Sequence, residues 1–195
     1  MTTKDKQRAR PVIGRTVATR SEMYWDWGAE PHIAVHGHGI GKTNLARGLA
    51  RQWPGNAFVL GQTYEWDVDE HRVEPCLDRS LPVLAAMGDG ATEPTLLVVD
   101  GLDRQAVKDA STEDVERLRE LLQRLSVAKN VHLLIITRGE QIEWAEPLQV
   151  IADDRLGPFA GHLLLRPYDP VVIEIYTPFV APPGWEDRRL PRRRI

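Results

Sequence analysis

The sequence is poor in cysteine, with Cys76 alone among 195 residues. A single cysteine excludes an internal disulfide framework and a zinc site built from several cysteines. No apolar run reaches the ~18 residues that a membrane-spanning helix requires, so an integral membrane segment is not expected. The basic amino-terminal segment is not followed by the apolar stretch of a secretory signal. We therefore expect a cytoplasmic protein, in the host cytoplasm if the chain is viral.

Charge is distributed unevenly over a chain whose formal net charge is only −3. Residues 1–20 carry six basic side chains against Asp5, and residues 185–195 carry five arginines against two acidic residues, so the chain between them is acidic. Either the basic ends contact a polyanion or an acidic neighbour, or they are two solvated tails without a ligand. The predicted organisation is a basic flexible arm at 1–20, one domain at 21–176 and a basic tail rich in proline and arginine at 177–195.

Short apolar runs rich in β-branched residues alternate with segments of helical spacing. Apolar residues on both alternating faces of a strand indicate a sheet that is covered on both sides, and strands alternating with helices indicate parallel pairing. We therefore predict an α/β fold with a mostly parallel central sheet. The predicted strands are 32–36, 57–60, 95–100, 131–137, 162–165 and 171–176, and the predicted helices are 43–53, 81–87 and 111–129.

The most informative stretch is an apolar strand that runs into a glycine-rich turn, a Gly-Lys-Thr sequence and a helix. This is the context that a Walker A phosphate-binding loop requires, because its glycines let backbone N–H groups point at phosphate oxygens. Lys42 would reach the β- and γ-phosphates, and the hydroxyl of Thr43 would hold Mg²⁺. The predicted nucleotide-binding residues are Gly37, His38, Gly39, Ile40, Gly41, Lys42, Thr43 and Asn44.

This loop departs from the usual pattern at its first position, where His36 replaces glycine. The adjacent Gly37 could take part of the role of the missing glycine. The alternative hypothesis is a chance glycine turn, or a loop that has lost binding. His36 and His38 also have the i, i+2 spacing of metal ligands, but no third ligand suggests itself.

A second motif is the apolar strand TLLVVD, which ends at Asp100. An acid at the tip of such a strand is typical of a Walker B motif, in which Asp100 would hold Mg²⁺ through water beside Thr43. Many ATPases place a glutamate directly after this aspartate to polarise the attacking water. Here Gly101 follows instead, so Asp103 or a residue elsewhere would act as the base, or hydrolysis is slow.

The strand VHLLIIT ends at Thr137 and Arg138, which are candidates for contact with the γ-phosphate or the attacking water. Arg138 could equally be a surface charge. Arg155 and Arg166 are candidate arginine fingers for the site of a neighbouring subunit. The predicted catalytic residues are Lys42, Asp100, Asp103, Thr137 and Arg138. Two tryptophans before the first strand of this set, Trp25 and Trp27, pack either near the adenine or in the core.

With these motifs, the chain resembles the additional-strand P-loop ATPases, and within them the FtsK/HerA group of DNA-pumping motors and type VII secretion ATPase modules. The resemblance covers roughly residues 24–140 and is carried by three segments: Pro31 to Gly37, Gly41 to Asn44 and Asn130 to Thr137. It implies a three-layer, RecA/FtsK-like P-loop NTPase fold, ATP and Mg²⁺ as cofactors, and a homo-oligomeric ring acting on double-stranded DNA. The chain departs from the group at His36, at Gly101 and at Arg138, where the motors usually have glutamine.

Three functions compete. The first is an ATP-driven DNA translocase, for genome packaging or mobile-element DNA transfer. The second is a STAND-like nucleotide switch, or a weakly hydrolysing ATPase, with a protein partner. The phosphate loop, acidic strand and sensor arginine of STAND proteins are similar to the corresponding motifs of this chain. However, the residues after Arg138 are too few for the winged helix and repeats that such proteins append. The third is a small-molecule kinase, for which a dense arginine lid is missing. We expect the translocase.

Overall fold

The structure is a computed structural model. It describes residues 10–16, 18–38, 41–61, 66, 72–74, 77–89, 91–101, 111–137, 147–151, 162–166 and 173–176. Three helices lie in these ranges: α1 (Lys42–Gln52), α2 (Leu77–Gly88) and α3 (Thr112–Ser126). None of the described helices is long and apolar enough to cross a bilayer.

Ten strands within the described ranges form one sheet. They are β1 (Val12–Thr16), β2 (Glu22–Tyr24), β3 (Ile33–His36), β4 (Asn56–Leu60), β5 (Arg72–Glu74), β6 (Thr95–Asp100), β7 (Val131–Ile136), β8 (Leu148–Ile151), β9 (His162–Arg166) and β10 (Ile173–Tyr176). Their order across the sheet is β2-β1-β10-β9-β8-β3-β7-β6-β4-β5. The six strands from β8 to β5 are parallel, and the other four are joined to them by antiparallel pairings. The predicted mostly parallel α/β sheet is confirmed.

Strand β7 lies between the strand that precedes the phosphate loop and the strand that ends in the acid. Ile136 pairs with Val35 of β3 on one side and with Asp100 of β6 on the other. Since the three strands are parallel, their carboxyl ends meet at one edge of the sheet, which we call the carboxyl edge. The loop after β3, Asp100 and Thr137 are therefore brought together by strand order alone.

Both faces of the parallel sheet are covered, which explains why its strands are apolar at consecutive positions. Val35, Val98 and Leu134 pack with α1, while their neighbours Ala34, Leu97 and Leu133 belong to the core beneath α2 and α3. Helix α1 contributes Leu45, Ala46, Leu49 and Ala50 to the first core, and α3 contributes Leu118, Leu121, Leu122 and Leu125 to the second. The result is a three-layer arrangement of helix, sheet and helices.

Helices α1 and α3 begin in opposite ways. Helix α3 is closed by a capping box, in which the backbone N–H of Asp114 donates to Ser111 Oγ at 3.2 Å and the Ser111 N–H donates to Asp114 Oδ2 at 3.0 Å. The capping residue of α1 is Gly41, at φ 104°, and no side chain caps the helix or places an acid in its first turn. A helix start without a side-chain cap leaves backbone donors for another acceptor.

The structure corrects part of the sequence prediction. Residues 12–16, which lie within the predicted arm, form β1, which pairs with β2 and β10 and contributes Ile13 to the core. The sequence did not predict β2, β5 and β8. Helix α2 begins at Leu77 and contains Pro82, so it is longer than the predicted 81–87. Residues 1–9 and 177–195 lie outside the described residues, and the proposed domain limits stay a prediction.

Candidate functional site

The loop that follows β3 begins with a turn at Gly37. His36 is still the last residue of β3, paired with Ile151 of β8. Gly37 has φ 102°, a left-handed backbone conformation that side chains with a Cβ rarely adopt. The chain therefore leaves the strand at Gly37, which explains how the loop can start without a glycine at position 36. Gly39 and Ile40 lie outside the described residues.

Lys42 and Thr43, in the first turn of α1, both point back to this edge of the sheet. The ammonium group of Lys42 donates a hydrogen bond to the carbonyl oxygen of Gly37 at 2.7 Å. The hydroxyl of Thr43 donates to Oδ1 of Asp100 at 3.3 Å, across 57 positions of the sequence. The predicted partners Thr43 and Asp100 are thus in contact.

Asp100 is a buried carboxylate, 7% exposed, at the end of β6. Burial raises the pKa of its side chain, because the charged form loses hydration. The hydrogen bonds from Trp66 and Thr43, and the positive charges of Arg47 and Lys42, act in the opposite direction. A desolvated carboxylate that is held by donors and faces cationic groups suits a position where further positive charge is to be bound.

Trp66 is a site residue that sequence reasoning missed. Its indole Nε1–H donates to Oδ2 of Asp100 at 3.1 Å, and the whole residue is only 1% exposed. The segment 61–80 is mostly polar and matches no motif, so the sequence does not single out this tryptophan. A usable signal was its place shortly after β4, because the chain leaves every parallel strand at the carboxyl edge.

Thr137 follows β7 directly and is 1% exposed. Its backbone N–H donates to the carbonyl of Val35 at 2.9 Å, while the N–H of Gly101 donates to the carbonyl of Ile136 at 3.3 Å. These bonds extend the ladder between β3, β7 and β6 beyond the last strand residues. The backbone of Thr137 is consequently held between the end of β3 and the end of β6.

The remaining predicted residues divide into two groups. His38 is exposed after the turn, Gly41 caps α1, and Asn44 is buried in its first turn. Asp103, Arg138 and Arg155 lie outside the described residues. The backbone of Arg166 ends β9 opposite Gln149, near the amino end of β8 and away from the carboxyl edge of its own chain.

The side-chain oxygen atoms of Thr43 and Asp100 are suited to a Mg²⁺ site. A hydroxyl oxygen and a carboxylate oxygen 3.3 Å apart are hard ligands of the kind this ion takes, and the ion commonly keeps several waters and adds phosphate oxygens. The described residues contain no group of three histidine, cysteine, aspartate or glutamate side chains that could hold a metal by itself. His36 and His38 therefore gain no third ligand among the residues described.

The tryptophans before β3 lie at the opposite edge of the sheet. Trp25 and Trp27 contact Trp53, which follows α1, at ring-centroid distances of 5.3 and 5.5 Å. All three contact His132, near the start of β7. Of the two hypotheses for Trp25 and Trp27, core packing agrees with the structure, because Trp25 belongs to the core with α1 and the partly buried Trp27 packs against it.

No family model matches the sequence, and no curated protein matches it. Solved structures do. The monomer form of the pCW3 conjugation coupling protein TcpA, with ATPγS, has a TM-score of 0.65 at 14% identity, covering 90% of this chain and 68% of that one. The cytoplasmic domain of the Thermomonospora curvata type VII secretion ATPase EccC has a TM-score of 0.64 at 17% identity, covering 93% and 27%. The cytoplasmic domain of EssC has a TM-score of 0.65 at 15% identity, covering 92% and 45%.

These similarities establish the fold. The chain has a three-layer P-loop ATPase fold with a mostly parallel central sheet, and the resemblance to FtsK/HerA-type ATPases is confirmed at the level of the fold. The chain spans about a quarter of the EccC structure and less than half of the EssC structure.

Proposed function

We propose that this protein binds ATP with Mg²⁺ at the carboxyl edge and hydrolyses it. The observation that carries the proposal is the hydrogen bond between Thr43, at the uncapped start of α1, and the buried carboxylate of Asp100. Two motifs far apart in the sequence thereby converge on one pair of oxygen ligands. Their convergence next to a lysine in a glycine loop is the arrangement that phosphoryl transfer requires.

Each residue would act through its position. The backbone N–H groups of the loop and of the first turn of α1 would bind phosphate oxygens, among them those of Gly41 and Thr43. Lys42 would exchange the Gly37 carbonyl for the β- and γ-phosphates. Bound Mg²⁺ would neutralise charge on those phosphates, with Thr43 as its ligand and Asp100 holding it through water. Thr137 would hold the attacking water or the γ-phosphate.

The residue directly after Asp100 cannot remove the proton from the attacking water. Gly101, at φ 97°, follows Asp100 directly and has no side chain to serve as a base. Asp103 and Arg138 therefore stay proposals as base and sensor. Without a base next to Asp100, hydrolysis would be slow.

More specifically, we propose that the ATPase is a homo-oligomeric DNA translocase that acts in genome packaging or mobile-element DNA transfer. Its support is the likeness in fold to a conjugation coupling protein and the basic residues near both ends of the sequence. The second candidate is a nucleotide switch with a protein partner. Gly101 favours the switch, because a site that binds ATP but lacks the adjacent base holds its nucleotide for longer.

The test is ATP hydrolysis by the purified protein with and without double-stranded DNA, beside Lys42→Ala. Lys129→Ala is the matched control, because it removes the same charge at an exposed turn. DNA-stimulated turnover that is lost in Lys42→Ala and kept in Lys129→Ala supports the translocase. Tight binding without turnover, indifferent to DNA, supports the switch. Absence of nucleotide binding in the wild-type protein contradicts the whole proposal.

A further inference from the structure

Both oxygens of the Asp100 carboxylate accept hydrogen bonds, and they come from different parts of the chain. Oδ1 accepts from Thr43, which belongs to α1, and Oδ2 accepts from the indole of Trp66. The second bond lies in the core, where Trp66 is 1% exposed. A hydrogen bond to an ionised group in such surroundings is stronger than one between neutral partners. The hydrogen bond from the indole to Oδ2 therefore restricts the rotation of the carboxylate group.

We propose that Trp66 is a positioning residue for Mg²⁺-dependent nucleotide binding, acting by orienting the Asp100 carboxylate through its indole N–H. The inference rests on the proposed function, since it concerns the same site. By engaging Oδ2, the indole keeps Oδ1 turned towards Thr43, where the metal would bind. Partners that orient a metal-binding carboxylate affect metal affinity without contacting the metal themselves.

Gly61 supports this assignment independently of the hydrogen bond. It follows β4, and a Cβ atom built on it would lie 3.1 Å from Asp100 Cβ and 3.4 Å from Trp66 Nε1. Because glycine has no side chain, the indole of Trp66 and the side chain of Asp100 have room to approach each other here. The backbone of Gly61 is not left-handed, so Gly61→Ala acts mainly by crowding the Asp100 side chain and, less closely, the indole nitrogen of Trp66.

The other two indoles of the core provide the contrast. Trp25 Nε1 donates to the carbonyl of Glu30 at 2.6 Å, and Trp53 Nε1 donates to the carbonyl of Pro94 at 3.1 Å. Both bonds satisfy a buried donor with a backbone acceptor, which stabilises the fold alone. Trp53 is therefore the matched control for Trp66: it is buried, donates one indole hydrogen bond and lies at the other edge of the sheet.

The experiment titrates Mg²⁺ into each protein in the presence of mant-AMPPNP, a fluorescent and non-hydrolysable ATP analogue. Trp66→Phe keeps a ring but removes the N–H, and Trp53→Phe does the same at the control position. In Trp66→Phe, we expect the Mg²⁺ concentration for half-maximal binding to rise about tenfold. Affinity for the analogue in EDTA should stay within about twofold, because the phosphate loop is intact. Trp53→Phe should change neither quantity.

The outcomes separate this inference from the proposed function. If the wild-type protein binds no analogue, the proposed function is wrong and the inference falls with it. If it binds but Trp66→Phe keeps the wild-type Mg²⁺ midpoint, or if Trp53→Phe shifts it equally, the inference alone is overturned. Urea unfolding verifies that each variant is folded. Should Trp66→Phe not fold, Gly61→Ala decides: a raised Mg²⁺ midpoint with unchanged binding in EDTA supports the inference, and an unchanged midpoint overturns it.

Discussion

Helix α1 joins two regions of the protein that use the same kinds of side chain differently. The amino end of α1 lies at the carboxyl edge of the sheet. There, the indole of Trp66 and the hydroxyl of Thr43 donate hydrogen bonds to the buried carboxylate of Asp100. At its carboxyl end, Trp53 packs against two further tryptophans and His132, and the indole donors go to backbone carbonyls. The first arrangement keeps a charge in the core at a cost in desolvation, whereas the second removes polar groups from water only where they are satisfied.

The difference predicts that stability and nucleotide binding are separated along one helix. Substitutions at the tryptophan edge, formed by Trp25, Trp27, Trp53 and His132, should change the free energy of unfolding and not the nucleotide affinity. The carboxyl edge should govern affinity and contribute little to folding. Variants at the two ends of α1 test this separation. At one end we expect a change in the free energy of unfolding, and at the other a change in nucleotide affinity.

The largest expected effect is on folding, in Trp53→Ala. Removing a buried aromatic ring that contacts Trp25, Trp27 and His132 should lower the free energy of unfolding by about 3–5 kcal/mol. Urea unfolding measures this loss. The nucleotide affinity of the fraction that stays folded should be unchanged, and a parallel loss of affinity would contradict the separation of the two regions.

The second effect is on affinity, in Asp100→Asn. The amide can still accept from Trp66, but it loses the charge that attracts Mg²⁺. Binding of an ATP analogue with Mg²⁺ should weaken at least about tenfold, measured by fluorescence titration. Because the buried charge is removed, the free energy of unfolding at neutral pH should rise by up to about 1 kcal/mol. A loss of stability instead would show that the carboxylate stabilises the fold.

The third effect is a dependence of stability on pH at the tryptophan edge. Burial lowers the pKa of His132 from 6.5 to about 4, although its hydrogen bond to the Pro31 carbonyl acts against this. The unfolded chain therefore takes up the proton first, and the contribution of neutral His132 is complete above pH 6.5 and is lost as the pH falls towards 4.

The measurement compares wild type with His132→Phe by urea unfolding between pH 7 and pH 4. Stability of the wild-type protein should fall more steeply, by up to about 1.4 kcal/mol per pH unit in excess of the variant. His32, whose pKa burial also lowers, is present in both proteins, and its charge contributes to the lowered pKa of His132, so the difference in slope includes the coupling between the two histidines. Equal slopes would mean that His132 has the same pKa in the folded and the unfolded protein.

The smallest effect concerns the start of α3, where a capping box stands in contrast to the uncapped start of α1. Ser111→Ala removes the side-chain acceptor of the Asp114 N–H and should cost about 1 kcal/mol in the free energy of unfolding. Thr112→Ala, an exposed change one position later, is the matched control and should cost less. Nucleotide affinity should be unaffected in both, since neither residue contacts the carboxyl edge site.

Much of the fold follows from patterns that are local in the sequence. The strands that form β3, β4, β6 and β7 are apolar at consecutive positions, and α1 and α3 have strong apolar spacing with recognisable starts. These elements were predicted to within a few residues. Strands β1, β2, β5 and β8 are short or polar at alternate positions, so that their pairing, and not their composition, defines them.

The candidate site divides in the same way. Lys42, Thr43 and Asp100 were predicted because each belongs to a motif whose chemistry needs that residue type at that spacing. Trp66 was not, since an indole that orients a carboxylate has no fixed distance from it in sequence. The two alternatives for Trp25 and Trp27 have the same origin: sequence position beside β3 does not tell which end of the strand a preceding segment contacts.

The sequence by itself determined the phosphate loop, the acidic strand and the alternation of strands and helices, because these depend on backbone conformation and on periodic burial. The tertiary structure decided which side chains meet. It placed β7 between β3 and β6, brought Thr43 to Asp100 across 57 positions and directed Trp66 to the second oxygen of the same carboxylate. Such contacts arise from strand order and from the need to satisfy a buried charge, and neither is written in any one segment of the chain.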